Sequence, residues 1–254
     1  GRLQSCHLFL PCETMNSDLS ATLDAALASG DLLRSSHENI VGFLGNSTDP
    51  LYEASVAWLA KEGHWKELNN RFFKKLAFGT GGLRGRSIGE IVTPAERGDA
   101  PADARPEFPC VGTSNLNYHN ITRATLGLVR HLLKSHSGEG RPSLAVARDT
   151  RYFGKEFADR VTRVAVENGV DVYLFAEPRS TPQLSFAARH LGTTSGIVLT
   201  ASHNPPHDNG FKVYSNDGTQ VLEAEANAII AEVEAVTGES YEPVAENRRG
   251  QVHP

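Results

Sequence analysis

Between Ser143 and Tyr214 the chain alternates short apolar runs with helical patterns, and this alternation restricts the fold more than any other feature. Residues 143–147, 170–175, 195–200 and 211–214 read as strands, and residues 155–167 and 181–190 read as helices. Asn168-Gly169 closes the first helix and Thr181-Pro182 opens the second. Strands that alternate with helices in this way build a sheet covered by helices on both faces. The expected class is therefore α/β, in which the strands at 143–147, 170–175 and 195–200 are neighbours in one sheet.

The flanking sequence divides around that unit. Ser17-Asp18 can cap a helix through Leu19, Leu23, Ala26 and Leu27 that stops at Gly30. Asp49-Pro50 can open another through Leu51, Ala54, Val56 and Leu59, ending near Gly63. Residues 65–76 mix aromatics with cations. Residues 15–76 thus read as a helical lead-in packed on the α/β domain, which runs from 77 to 238. Within that domain, residues 90–112 are rich in Pro, Ala, Asp and Arg and read as a surface loop or insertion. Ile121, Ala124, Leu128, Val129 and Leu132 mark one apolar face of a helix, and 223–236 reads as a last helix. Residues 239–254 are polar and read as a linker or the start of a further domain. Met15 is the only methionine, so residues 1–14 read as a leader outside the natural fold, or a disordered arm.

Composition narrows the function classes. The formal net charge of -5 gives no general field for nucleic acid, while leaving room for a local basic pocket that takes a small anion. The cysteines, Cys6, Cys12 and Cys110, form no C-x-x-C pair, so neither a disulfide framework nor a zinc knuckle is indicated. The run Leu8-Phe9-Leu10 is too short for a membrane span or a signal-peptide core. A reducing cytoplasm is the expected compartment.

Chemistry concentrates in residues 200–212, Thr-Ala-Ser-His-Asn-Pro-Pro-His-Asp-Asn-Gly-Phe-Lys. An apolar strand empties here into a loop of small and polar residues, and ligands of open α/β sheets bind beyond the carboxyl ends of strands. Ser202 stands where a reactive hydroxyl is useful, but a serine needs a neighbouring base or cation to act. His203 can move a proton near neutral pH. Lys212 can neutralise phosphate oxygens, or act as a base if its pKa is depressed. The same residues also fit a plain Ser/Asn/Pro turn beside an exposed lysine. His203 and His207 have the spacing of helical metal ligands, but Asn204-Pro205-Pro206 between them breaks any helix. No G-x-S-x-G elbow surrounds Ser202, which disfavours a serine hydrolase.

Thr200–Pro205, T-A-S-H-N-P, resembles the active-site serine loop of the α-D-phosphohexomutase superfamily, and Asn209-Gly210-Phe211-Lys212 resembles the segment that follows it there. Phe78–Gly85, F-G-T-G-G-L-R-G, is similar to the first substrate-proximal loop of the phosphoglucomutase branch. Arg148-Asp149-Thr150-Arg151 and Ser180-Thr181-Pro182 resemble two further segments in the same order. The resemblance covers roughly residues 75–222 and implies a three-layer α/β/α domain with a mixed sheet.

It implies that Ser202 is carried as a phosphoserine and exchanges its phosphoryl group with a hexose or pentose phosphate through a bound bisphosphate. Phosphoryl transfer needs cations around the migrating group. Arg84 is a candidate to hold two phosphate oxygens, and otherwise reads as a surface ion pair. Thr80, Gly81 and Asn204 are candidate phosphate or substrate contacts, with the glycines bringing backbone N–H groups close. Lys212 is the candidate general base. His203 is a second proton carrier or a brace for the loop.

The family implies Mg²⁺ bound to the serine phosphate and a glucose 1,6-bisphosphate-type activator. Its aspartate-rich D-G-D-G-D-R segment, G-E-x-S-G-type sugar loop and R-x-S-G-T-type phosphate loop belong to domains II–IV, and none of the three occurs here. Mg²⁺ wants several oxygen ligands, so a lone phosphoserine would hold it poorly. The expectation is a mutase first domain inactive by itself, whose partners are its own domains II–IV. The competing expectation is a stand-alone, non-catalytic module that binds a phosphosugar or a protein.

Overall fold

The computed structural model of the protein describes residues 15–47, 49–79 and 81–254. The expected leader, residues 1–14, lies outside the described residues, and so does Thr80. The lead-in comprises α1 (Ser17–Ser29), α2 (Arg34–Gly45), α3 (Pro50–Lys61) and α4 (Trp65–Phe72). Asn16, rather than Ser17-Asp18, caps α1, its side chain accepting from the Asp18 N–H, and Gly30 ends the helix in the left-handed conformation. Asp49 caps α3 through the Leu51 N–H, with Pro50 at the first helical position. Leu23, Ile40, Val56, Leu59, Leu68 and Phe72 bury together, so the lead-in has an apolar core of its own.

The chain then enters β1 (Gly82–Arg86), followed by the short α5 (Pro94–Arg97). A side chain on Gly82, at φ 132°, would collide with the Phe211 carbonyl oxygen, so only glycine admits this approach of the two strands. Residues 90–112 are the surface loop that their composition suggests only over 98–107, most of which are exposed, while both ends are fastened to the lead-in. Arg71 of α4, 1% exposed, pairs with Glu67 at 2.8 Å and with Glu96 of α5 at 2.6 Å. It also donates to the carbonyls of Ile91 and Val111, while Glu96 accepts from the Val111 N–H. Charged residues that read as solvent-facing are here the joint that fastens this loop to the lead-in.

The remaining elements are α6 (Tyr118–Ser135), β2 (Ser143–Arg148), α7 (Gly154–Glu167), β3 (Asp171–Leu174), α8 (Thr181–Leu191), β4 (Ser195–Leu199), β5 (Asp208–Ser215), α9 (Glu223–Glu234) and β6 (Val252–His253). The sheet order is β1-β5-β4-β2-β3-β6. β4, β2, β3 and β6 run parallel, and β5 pairs antiparallel with both β4 and β1, so the sheet is mixed. Leu144, Val146, Ile197, Phe211 and Val213 face a large core shared with α6, α7 and α9. Ala145, Ala147, Val198 and Tyr214 face the other way, onto Leu184 of α8. These are the three layers of an α/β/α domain.

Two expectations need correction. α6 is buried on most of its circumference from His119 to Val129, not on one face, because α7 and α9 pack along it and Phe43 and Tyr52 of the lead-in meet its first turn at His119. Residues 239–254 are not a free linker. Tyr241 hydrogen-bonds Glu167 of α7, and Val252–His253 adds β6 beside β3. The strand is too short to leave a periodic signal in sequence.

Candidate functional site

From β2 the chain moves through α7 to β3, then through α8 back to β4 on the other side of β2. The strand order therefore reverses between β2 and β4, with α7 and α8 on opposite faces. At such a switch point the loops leaving the two carboxyl ends diverge and open a crevice. Those loops are residues 149–153 after β2 and 200–207 after β4, and Ser202 stands in the second.

Ser202 is exposed and held at φ 58°, one of two described non-glycine residues with positive φ. The other is Phe153, in the loop after β2. The left-handed region is uncommon for residues with a Cβ, and persists when surrounding bonds over-determine it. Those bonds are present. The Ser202 N–H donates to Thr200 Oγ1 at 2.9 Å, and the Asn204 N–H to the Ala201 carbonyl at 3.1 Å. Asn204 Nδ2 donates to Asp208 at 2.9 Å, and Ser87 donates through both its N–H and its hydroxyl to the His207 carbonyl.

The strongest of the restraints is Arg151. Its Nη2 donates to the carbonyls of Ser202 at 2.7 Å and Asn204 at 2.6 Å, and its Nη1 to those of Pro205 at 2.6 Å and Asp208 at 3.1 Å. Asp149, paired to its Nε at 3.2 Å, fixes the guanidinium plane. One cation from the β2 loop thus gathers three carbonyls of the β4 loop and that of Asp208, the first residue of β5. In the sequence Arg151, like Arg148, follows its strand and fits either phosphate binding or salt-bridging to helix carboxylates. Its spacing after a strand carries no sign of which carbonyls it holds.

The cations expected around Ser202 fall on one face of the sheet. Arg84 of β1 is opposite Gly210 of β5, and Lys212 is opposite Gly82. Alternation places Arg84 and Lys212 on the same side, diagonal neighbours about 7–8 Å apart at Cα. Arg84 is exposed and reaches Asn204 Oδ1 of the serine loop at 3.4 Å. Lys212 is half-buried, and neither cation is ion-paired among the described residues. Lys212 is not beside Ser202, however: it pairs across to Val198, four positions before the serine on β4. Gly210 is required where it stands, since a Cβ there would strike the Thr200 carbonyl oxygen.

Other expected contacts differ. The N–H groups of Gly79, Gly81 and Gly82 are all spent within their own turn, on the Gly82, Gly79 and Gly79 carbonyls. They do not point at an anion, and the glycines serve the tight turn and the β1–β5 approach instead. His203 is exposed and makes no hydrogen bond with the described residues, so it is not a brace for the loop. Among the described residues no three His, Cys, Asp or Glu side chains gather as metal ligands, and nearby Asp149 and Asp208 are engaged by Arg151 and Asn204.

Residues 109–239, just over half of the chain and including both crevice loops, match the family model for phosphoglucomutase/phosphomannomutase alpha/beta/alpha domain I. The chain belongs to this family. It is 38% identical over 152 residues to a phosphoglucomutase of Staphylococcus haemolyticus, covering 60% of this chain and 23% of the relative. A phosphoglucomutase of Staphylococcus aureus strain MRSA252 is 32% identical over 191 residues, covering 74% of this chain and 30% of the relative. A solved structure from Thermus thermophilus, assigned as a phosphomannomutase, superposes with a TM-score of 0.52 at 28% identity, over 71% of this chain and 33% of that one. The chain thus spans about a quarter to a third of the length of these phosphomutase relatives. Among the described residues no helix is long and apolar enough to cross a membrane.

Proposed function

We propose that this chain is the phosphoserine-bearing first domain of a phosphosugar mutase, with Ser202 as the phosphoryl carrier. The observation that carries this reading is the position of Ser202: exposed, backbone-locked at the switch point, and reached by a cation from a second loop. Two cations without carboxylate partners on the adjoining sheet face support an anionic occupant. Phosphorylated Ser202 would bring about -1.5 to -2 charges to that place.

In the forward half-reaction the bond from phosphorus to Ser202 Oγ breaks and a bond to a sugar hydroxyl oxygen forms. The hydroxyl proton leaves to a base, and Ser202 is left as the free alcohol. The second half-reaction returns the other phosphate of the bisphosphate to Ser202, restoring the carrier. Arg84 spreads the charge on the transferring oxygens. Lys212 lies on the same face one strand away and serves the sugar phosphate or its hydroxyl. Arg151 does not touch the reacting atoms; it holds the loop that presents them. An Mg²⁺ ion would draw its carboxylate ligands from domains II–IV, and a glucose 1,6-bisphosphate-type activator would charge Ser202.

The test is mass spectrometry of the complete mutase polypeptide that contains this chain, after incubation with glucose 1,6-bisphosphate. A single phosphate on Ser202, and no turnover in Ser202→Ala, are the expected results. Phosphate on another residue, or full turnover in Ser202→Ala, would overturn the reading.

A further inference from the structure

Away from the serine loop, α2, the start of α6 and the end of α9 enclose a cavity of about 630 Å³. That volume is in the range of small-molecule sites. Its inner wall carries Arg123, only 9% exposed. Arg123 donates from Nε to the Val236 carbonyl at 2.8 Å, from Nη2 to the Val233 carbonyl at 3.3 Å and from Nη1 to Asn120 Oδ1 at 3.3 Å. Two of the acceptors are carbonyls at the C-terminal end of α9, whose partial negative charge offsets part of the guanidinium's charge; none carries a full charge, and a guanidinium has five N–H donors. Among the described residues no carboxylate lies within ion-pairing distance. A buried charge is costly unless an opposite charge meets it. Burial pulls the Arg123 pKa down, with only Glu234 acting against it.

Beside it stands His119, 4% exposed and edge-on to the Phe43 ring at 4.7 Å. Its Nδ1 is fully enclosed without a partner, and its other ring nitrogen makes no hydrogen bond with the described residues. Burial first, then Arg123 and Lys75, hold its pKa down to about 3, so the ring is neutral and offers a ligand one N–H rather than a charge. Lys75 is exposed and also lines the cavity. Phe43, Phe78, Val233 and Val236 supply apolar wall. Glu38 and Glu234 also line it, and both are exposed, which opposes a highly charged ligand such as a nucleoside triphosphate.

We propose that this cavity is a second ligand site, for a small molecule that carries one oxyanion, a phosphate monoester or a carboxylate, on a compact apolar body. The oxyanion meets Arg123 and His119, with Lys75 adding attraction, and the body lies against Phe43 and Phe78. The wall at Leu76–Phe78 continues into the glycine-rich turn that precedes Arg84, and Phe78 packs edge-on to Phe211 at 6.3 Å. An occupant therefore restrains the approach to β1. The proposal does not depend on the role given to Ser202.

Phenyl phosphate and phenylacetate are the probes, titrated separately into the ¹⁵N-labelled chain, so that the two arms tell phosphate from carboxylate. Binding should shift the His119 ring nitrogens and the amides of Phe78 and Val236. The affinity should persist in Arg84→Ala, which removes a cation from the serine face. It should fall several-fold in Lys75→Ala, an exposed position that leaves the core intact. It should fall about tenfold in Arg123→Lys, which keeps the charge but loses the fork. No shift at His119 or Val236 with either probe up to about 10 mM, affinity unchanged in both Lys75→Ala and Arg123→Lys, or affinity lost in Arg84→Ala would each overturn the proposal.

Discussion

Replacing Arg151 by alanine removes the one side chain that links four carbonyls of the serine loop and the start of β5. A hydrogen bond to a charged group is worth about 1.5–3 kcal/mol when both partners are shielded. Here the loop is largely exposed, and freed carbonyls can turn to water, so about 1 kcal/mol per bond is the fairer figure. Four acceptors, three of them within 2.7 Å, set a ceiling near 4 kcal/mol on the loss, and incomplete additivity places it at about 2–4 kcal/mol. The loss falls on local opening of residues 200–208, so amide exchange there should quicken by about 30- to 1000-fold. Hydrogen-exchange mass spectrometry of peptides across 198–212 reads this directly. Exchange in α6 and β2 should change far less. Arg151→Lys should restore part of the protection, since one ammonium can hold some but not all of the four carbonyls. Unchanged exchange in the loop of Arg151→Ala would refute the reasoning, because the left-handed Ser202 would then be held by something else.

Further outcomes follow from other groups. Arg71→Met should destabilise the chain by about 3–5 kcal/mol in urea unfolding, since it leaves Glu67 and Glu96 buried without a cation; a midpoint equal to wild type would contradict the joint described above. His119, depressed by burial to about 3 from an ordinary 6.5, binds a proton less readily folded than unfolded. Its contribution is complete above pH 6.5 and is lost as pH falls toward 3, about 2 kcal/mol of it by pH 5. Subtracting the stability curve of His119→Phe from that of wild type should show this decline, and two parallel curves would exclude it. In the complete mutase, Arg84→Ala should slow turnover by about 10²–10³-fold. Lys212→Ala should slow it by about 10²–10⁴-fold if Lys212 is the base, leaving Ser202 able to accept phosphate from glucose 1,6-bisphosphate; rates near wild type would remove either residue from the chemistry.

The strands at 143–148, 171–174 and 195–199 and the serine beyond the last of them were legible because burial on both faces writes near-continuous apolar runs, punctuated here by Asn-Gly and Thr-Pro. The helix Arg34–Gly45 was not legible. Its core residues Ser36, Ile40, Phe43 and Leu44 have helical spacing, but Leu33 gives no side-chain cap to announce it. Within residues 90–112 the ends misled because ionic burial looks the same in sequence as solvation: Glu96 and Arg71 are typical surface letters until they meet. The closeness of Arg84 to the serine loop was legible through its motif, whereas the bonds of Arg151 run from side chain to backbone and leave no complementary letter to find. The glycine turn was legible as a turn, but the destination of its N–H groups was not.

The left-handed backbone at Ser202 also decides which alcohol the position accepts. On the phosphoserine reading proposed above, serine and threonine would offer the same hydroxyl to a phosphoryl group, and chemistry alone would tolerate either. A β-branched residue at φ 58° meets its own backbone, and such residues almost never occupy this region. A threonine here must either strain the loop or release it from the grip of Arg151. The choice between the two hydroxyl amino acids is thus made by torsion rather than by reactivity, and a drift to threonine is disfavoured in this loop whatever the hydroxyl does.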